Sequence, residues 1–117
     1  MALTYLTVTI ANPLNPKRAL ERRFLIDSGA VYSVVDSQAL RKLGIKPDKT
    51  QKFLLANGQE IEKEVGEAVF QYGEHRRTAP VVFGDKDIFL LGTTSLEVMG
   101  LILDPINREL KPLPMVI

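Results

Sequence analysis

The chain contains no cysteine and no tryptophan, and its only histidine is His75. Without cysteine there is no disulfide, no thiol nucleophile and no thiolate metal site. One imidazole cannot make a histidine-rich metal centre, so no metal site is expected. Long apolar runs are also missing. A spanning helix needs about 20 consecutive apolar residues, and no stretch approaches that, so no membrane is expected as a partner. Excess charge is lacking too, with 15 Lys and Arg against 14 Asp and Glu and a net charge of +1. Such a balance offers no electrostatic attraction for nucleic acid or an anionic surface.

What is present is ordinary globular composition, 45% hydrophobic and 25% charged over 117 residues. That length suits one small domain, residues 1–117, and is too short for two lobes. The N-terminus, Met1 to Ile10, has no basic n-region and alternates threonine with apolar residues. It reads as a strand and not as a signal peptide, and the simplest expectation is a cytoplasmic protein.

The pattern of elements is mostly β. Leu3 to Ala11 has the period of a half-buried strand. A turn cluster follows at Asn12-Pro13-Leu14-Asn15-Pro16, then a basic approach (Lys17, Arg18, Arg22, Arg23) into Phe24-Leu25-Ile26-Asp27. Val31 to Val35 is β-branched and strand-like. Asp36 to Leu43 reads as a short helix capped by Asp36 or Ser37 and ended by Gly44. Phe53-Leu54-Leu55 and Glu60 to Val65 flank Ala56-Asn57-Gly58-Gln59, and Asn-Gly between extended arms is a strong hairpin signal. The second arm carries four charges in five residues, which suits a projecting, solvated hairpin. Ala68 to Tyr72 and Thr78 to Phe83 form two more strands around a turn that includes His75. Ile88 to Gly92 is an apolar strand ending at glycine. A helix over Thr93 to Met99 follows, with Thr94 and Glu97 spaced as a capping box. Leu101 to Leu103, a turn at Asp104 to Asn107, and Glu109 to Ile117 close the chain.

One stretch carries chemistry: Leu25-Ile26-Asp27-Ser28-Gly29-Ala30, an apolar strand ending in Asp-Ser-Gly. A carboxylate at the mouth of a buried strand is costly to desolvate and usually has a partner or a task. Gly29 is expected to let the backbone turn sharply, and Ser28 supplies a hydroxyl that can lock the loop. The segment occurs once. The other acids have plainer assignments: Asp36 as a helix cap, Asp104 as a turn residue, Asp85 and Asp87 as loop residues.

The order Asp27-Ser28-Gly29-Ala30, mid-chain hairpin, then Leu90-Leu91-Gly92 before a helix resembles the retroviral-type (retropepsin-like) aspartic proteases. Within them it is most similar to small stand-alone prokaryotic members. Leu43-Gly44 after the first helix and the tail Gly100-Leu101-Ile102-Leu103-Asp104-Pro105 fit the same pattern. The resemblance spans about residues 4 to 115. It implies a closed, β-barrel-like single lobe of the acid-protease type, with two short helices and a flap hairpin. It also implies an aspartic endopeptidase in which Asp27 is catalytic and Ser28, Gly29 and Ala30 support its loop. Ala56, Asn57, Gly58 and Gln59 would form the flap over a peptide, and Leu90, Leu91 and Gly92 would pack beneath the loop. Such hydrolysis uses two carboxylates and no cofactor. With one Asp-Ser-Gly per chain, the second carboxylate must come from an identical chain, so a homodimer is implied. A catalytically silent, dimeric peptide-binding module on the same fold is the alternative.

Two positions depart from relatives. Val31 stands where retroviral enzymes carry an acidic residue that contacts the substrate backbone. Ala30 stands where two-lobed pepsin-like enzymes usually carry Ser or Thr, so one hydrogen bond to the charged carboxylate is missing. The anion is then less favoured, and cleavage should peak at mildly acidic to neutral pH. A pH–rate profile checks this, and a maximum below about pH 3, well under an ordinary carboxyl pKa, contradicts it.

Overall fold

The computed structural model describes residues 3–117, and the expectation for Met1 and Ala2 lies outside the described residues. Nine strands and two short helices follow in order: β1 (Tyr5–Asn12), β2 (Asn15–Ile26), β3 (Ser33–Asp36), α1 (Ser37–Lys42), β4 (Lys49–Leu54), β5 (Glu60–Tyr72), β6 (His75–Gly84), β7 (Phe89–Leu91), α2 (Thr93–Val98), β8 (Leu101–Asp104) and β9 (Glu109–Pro112). The fold is mostly β, as its alternating sequence implies.

Seven strands form one sheet in the order β1-β2-β7-β3-β6-β5-β4, and β1 also pairs with β5. That extra pairing, Thr9–Gln71 to Ala11–Val69, closes six strands into a ring, with β4 hanging from β5 outside it. Inward-pointing residues of the ring fill the core: Val8, Ile10, Phe24, Val35, Phe70, Val81 and Leu91 are all fully buried. Phe24 meets both Phe70 and Phe89 edge-on at 6.2 and 5.6 Å, the arrangement that ring quadrupoles favour.

Several boundaries differ from the sequence expectation. Strand β2 begins at Asn15, so Asn15 and Pro16 are not turn residues and the basic residues lie on the strand itself. There Arg22 and Arg23 stand over the rings of Phe89 and Tyr5. Strand β5 runs unbroken from Glu60 to Tyr72, where the sequence suggested two pieces. Its ladder is continuous because β4 pairs with its first half and β6 with its second. His75 belongs to β6, paired with Tyr72, and not to the turn. Strand β3 starts two residues later than Val31, since Val31 and Tyr32 bend to meet α2. The chain beyond Pro112 is not strand.

Helix α1 is capped by Asp36, whose Oδ1 accepts the N–H groups of Gln38 and Ala39 at 2.8 and 3.2 Å. Its Oδ2 accepts the N–H of Asp87 at 2.9 Å, tying the β6–β7 loop to the helix. These bonds, that from Asp87 first, hold the carboxyl below its usual range against the opposing effect of burial. Removing the cap should cost about 1–2 kcal/mol. Asp36→Ala is therefore expected to lower the unfolding free energy measured in urea at neutral pH by that amount. Because the folded-state pKa is depressed, the wild-type advantage exists above the ordinary carboxyl pKa and fades as pH falls through the lowered value. The two unfolding curves should converge there, and a gap that persists in acid contradicts the assignment.

Helix α2 corrects the capping-box expectation. Its N-cap is Gly92, and no side chain caps it. Its free donors go elsewhere: Thr93 N–H and Oγ1 donate to Ala30 O at 2.8 and 3.2 Å, and Thr94 N–H donates to Val31 O at 2.9 Å. The loop carrying Asp27 thus supplies the acceptors that a capping side chain would provide.

Candidate active site

Strand β7 lies between two strands that are consecutive in the chain. It runs parallel to β2 through Leu25–Leu90 and Ile26–Leu91. It runs antiparallel to β3 through Val34–Leu90 and Val35–Phe89. The segment from Asp27 to Tyr32 must therefore leave β2, pass over the end of β7 and return as β3. This crossing puts Asp27 at the mouth of a strand whose neighbours are buried.

The loop is held by backbone bonds. Asp27 N–H donates to Leu91 O at 3.0 Å, and Ala30 N–H donates to Asp27 O at 3.2 Å. Gly29 N–H donates to Asp27 Oδ1 at 2.8 Å, so one carboxylate oxygen is oriented by its own turn. Oδ2 accepts no hydrogen bond among the described residues. Asp27 is half-buried, and Ser28 and Gly29 are exposed. Gly29 does not occupy the left-handed region, which corrects the expected reason for a glycine. A Cβ there would stand 3.2 Å from Asp27 Oδ1, so the small residue keeps space at the carboxylate.

Beneath the loop, Leu91 is fully buried and Gly92 lies against the backbone of Ala30 and Tyr32. Leu90 pairs on both sides, with Leu25 and Val34. Gly92 N–H donates to Ser33 Oγ at 3.0 Å, and that hydroxyl shares a 2.5 Å bond with Ser95 Oγ. Sequence reasoning missed Ser33, Thr93 and Ser95. The available signal was a serine inside the apolar stretch Val31 to Val35, a polar group that burial obliges to find a partner.

Ala56, Asn57, Gly58 and Gln59 sit exposed at the tip of the β4–β5 hairpin. Leu55 N–H donates to Gln59 O at 2.7 Å and Gly58 N–H to Leu55 O at 2.9 Å. Asn57 Oδ1 accepts the N–H of Gln59, and Gly58 takes φ 86°. Two residues before the turn, Phe53 pairs with Ile61 and meets Tyr32 edge-on at 6.1 Å, joining the hairpin to the side of the Asp27 loop. Here Val31, Tyr32, Val34, Phe53, Ile61 and Ile88 line an apolar pocket of about 370 Å³, with Lys63 and Asp85 also lining it.

The loop between β2 and β3 carries one carboxylate, that of Asp27. Asp36 is occupied as a cap. Asp104 closes the β8–β9 turn, accepting from Ile106, Asn107 and, at 2.7 Å, the Lys111 ammonium. That ammonium, with the bonds from Asn107, holds the Asp104 carboxyl far below its usual range. Among the described residues no cluster of three or more His, Asp or Glu could hold a metal ion, and no helix is long and apolar enough to cross a membrane.

The family model for aspartyl proteases matches residues 6–95. The chain belongs to the aspartyl protease family. Its fold is that of the retroviral enzymes. The EIAV protease, solved with the inhibitor HBY-793, superposes with a TM-score of 0.62 at 16% identity, covering 85% of this chain and 89% of that one. The solution structure of simian foamy virus (mac) protease gives 0.58 at 20% identity, covering 80% and 91%. No curated protein sequence matches. The aspartyl protease match contains Asp27 to Ala30, the hairpin tip and Leu90 to Gly92, and it ends before β8 and β9.

Proposed function

We propose that this aspartyl protease family member is a homodimeric endopeptidase whose active site is a dyad of two Asp27 carboxylates, one from each copy. The observation that carries this is the half-buried Asp27 carboxylate, oriented by Gly29 N–H with its backbone anchored to Leu91, in the one Asp-Ser-Gly segment of the sequence.

Two carboxylates at contact distance cannot both ionise, so they share one proton and hold a water between them. The ionised partner takes a proton from that water as its oxygen attacks the scissile carbonyl carbon. The protonated partner gives its proton to the carbonyl oxygen, forming a neutral gem-diol. Collapse then breaks the C–N bond, with one diol proton returned to a carboxylate and a proton delivered to the leaving nitrogen. The chemistry needs no cofactor. Ser28 would hold the partner's loop across the axis. The flap tip, Ala56 to Gln59, would close over an extended peptide and exclude water. Apolar pockets such as that below Phe53 favour apolar substrate side chains.

Specific activity against a mixed peptide pool, followed by mass spectrometry, should fall on dilution in step with the dimer fraction seen by sedimentation. Specific activity that stays flat in a demonstrated monomer overturns the shared dyad.

A further inference from the structure

Four asparagines stand in this chain, and their neighbours sort them. Asn12 and Asn15 precede prolines, whose nitrogen has no proton to give up. Asn107 precedes Arg108, and its side-chain amide and backbone N–H are both tied to Asp104, at 2.9 and 3.1 Å. Asn57 alone is followed by glycine. The carboxamide of an asparagine can be attacked by the backbone nitrogen of the next residue. Glycine at that position leaves the approach free of any Cβ.

The local structure favours this attack at Asn57. Asn57 and Gly58 are exposed at the tip of the β4–β5 hairpin. Even a Cβ built on Gly58 would meet nothing within 4 Å, so water and base reach the site freely. Asn57 Oδ1 accepts the N–H of Gln59 at 2.9 Å, which folds the side chain forward over the Gly58 peptide. That bond also draws electrons from the carboxamide carbon. Nδ2, the nitrogen that would leave, donates to Gln59 Oε1 at 3.2 Å. One contact opposes the reaction: Gly58 N–H donates to Leu55 O at 2.9 Å. The nitrogen attacks only after losing this proton, so the reaction runs when the tip opens and slows when the hairpin is pressed shut.

We infer that Asn57 is a site of spontaneous deamidation, which turns the neutral hairpin tip into an acidic one. A base takes the Gly58 amide proton, and that nitrogen bonds to Asn57 Cγ. The Cγ–Nδ2 bond breaks, and Nδ2 takes up a proton and leaves as ammonia. Water then opens the five-membered imide at either carbonyl. One opening leaves aspartate, and the other leaves isoaspartate, whose backbone is one atom longer. In sum, one water is consumed and one ammonia is released. The consequence for cleavage rests on the flap reading of this hairpin. A closing flap would strip water from the new carboxylate, which is costly. The grip on peptide would then weaken with the age of the molecule.

The test keeps the full chain for days at neutral and at mildly alkaline pH and samples it by peptide mapping. The peptide that contains Asn57 and Gly58 should gain the mass that separates an acid from an amide, faster at the higher pH. Isoaspartate in it should be detected by enzymatic methylation, while Asn107 stays an amide. Asn57→Gln, whose longer side chain would need a six-membered ring, should gain no such mass over the same period. Cleavage by the wild type should decline in step with the converted fraction, and Asn57→Gln should hold whatever rate it starts with. Freshly made Asn57→Asp should show KM raised about tenfold, the cost of burying a charge under the flap. An Asn57 that remains an amide, or that converts no faster than Asn107, overturns the site. Conversion that leaves KM untouched overturns its effect on the flap. If fresh wild-type protein cleaves nothing, the mass gain still upholds the site and the failure belongs to the dyad.

Discussion

Asp27→Asn is expected to abolish peptide cleavage while leaving the protein folded and dimeric. Asn has nearly the same shape and keeps an Oδ1 acceptor for the Gly29 N–H, now at 2.8 Å, so the turn has no reason to move. What it loses is the ability to take a proton from water. General acid–base catalysis is typically worth about 100- to 10,000-fold, and both partners of a symmetric dyad change at once, so the rate should fall to background. The loss should appear in kcat with little change in KM. Mixing wild-type and variant chains gives a sharper reading. If each active dimer needs two aspartates, activity should follow the square of the wild-type fraction. Removal of like-charge repulsion should also tighten the dimer in sedimentation. Cleavage that persists in the variant, or a linear mixing curve, would remove Asp27 from its assigned role.

The strands and the position of this acid were legible because both depend on local pattern, whereas the closure of the ring through Thr9–Ala11 and Val69–Gln71 was implied only by the family resemblance. Alternating apolar residues mark β1 and the buried end of β2, and Asn57-Gly58 marks the hairpin tip whatever surrounds it. Leu90-Leu91-Gly92 was recognisable by its order after Asp27. The failures share a physical cause, which is dependence on partners distant in sequence. Thr94 and Glu97 have capping-box spacing, yet the helix start is satisfied by Ala30 O and Val31 O from more than sixty residues away. Gly66 and Glu67 interrupt an apolar pattern, yet β5 continues because Val81 and Pro80 stand opposite them. Ser33 and Ser95 find each other across 62 residues, and no local rule pairs them.

Gly92→Ala is expected to be the most damaging single methyl group in the chain. The backbone at Gly92, φ −93° and ψ 175°, is one that alanine adopts freely, so no conformational penalty arises. The cost is space. A Cβ at this position would lie 2.6 Å from both the carbonyl carbon and oxygen of Tyr32 and 2.9 Å from Ala30 O. All three are backbone atoms, and none can swing aside as a side-chain end could. Relief needs a shift of several tenths of an ångström between the catalytic loop and the β7–α2 junction. That shift strains the bonds that join them: Asp27 N–H to Leu91 O, Thr93 to Ala30 O, Thr94 to Val31 O, and Gly92 N–H to Ser33 Oγ. Overpacking alone costs about 1–3 kcal/mol, and each weakened bond adds up to about 1 kcal/mol, so a loss of about 3 kcal/mol in urea unfolding is expected. Where the variant remains folded, a displaced loop should also lower kcat by about 100-fold, the scale of a 1 Å misplacement. Gly58→Ala isolates the steric cause. Its Cβ would meet nothing within 4 Å, and only the positive φ opposes it, a penalty of about 1–2 kcal/mol. If Gly92→Ala proves no more destabilising than Gly58→Ala, the tight seating of the loop on Gly92 is wrong. The order expected here follows from where each methyl group would land.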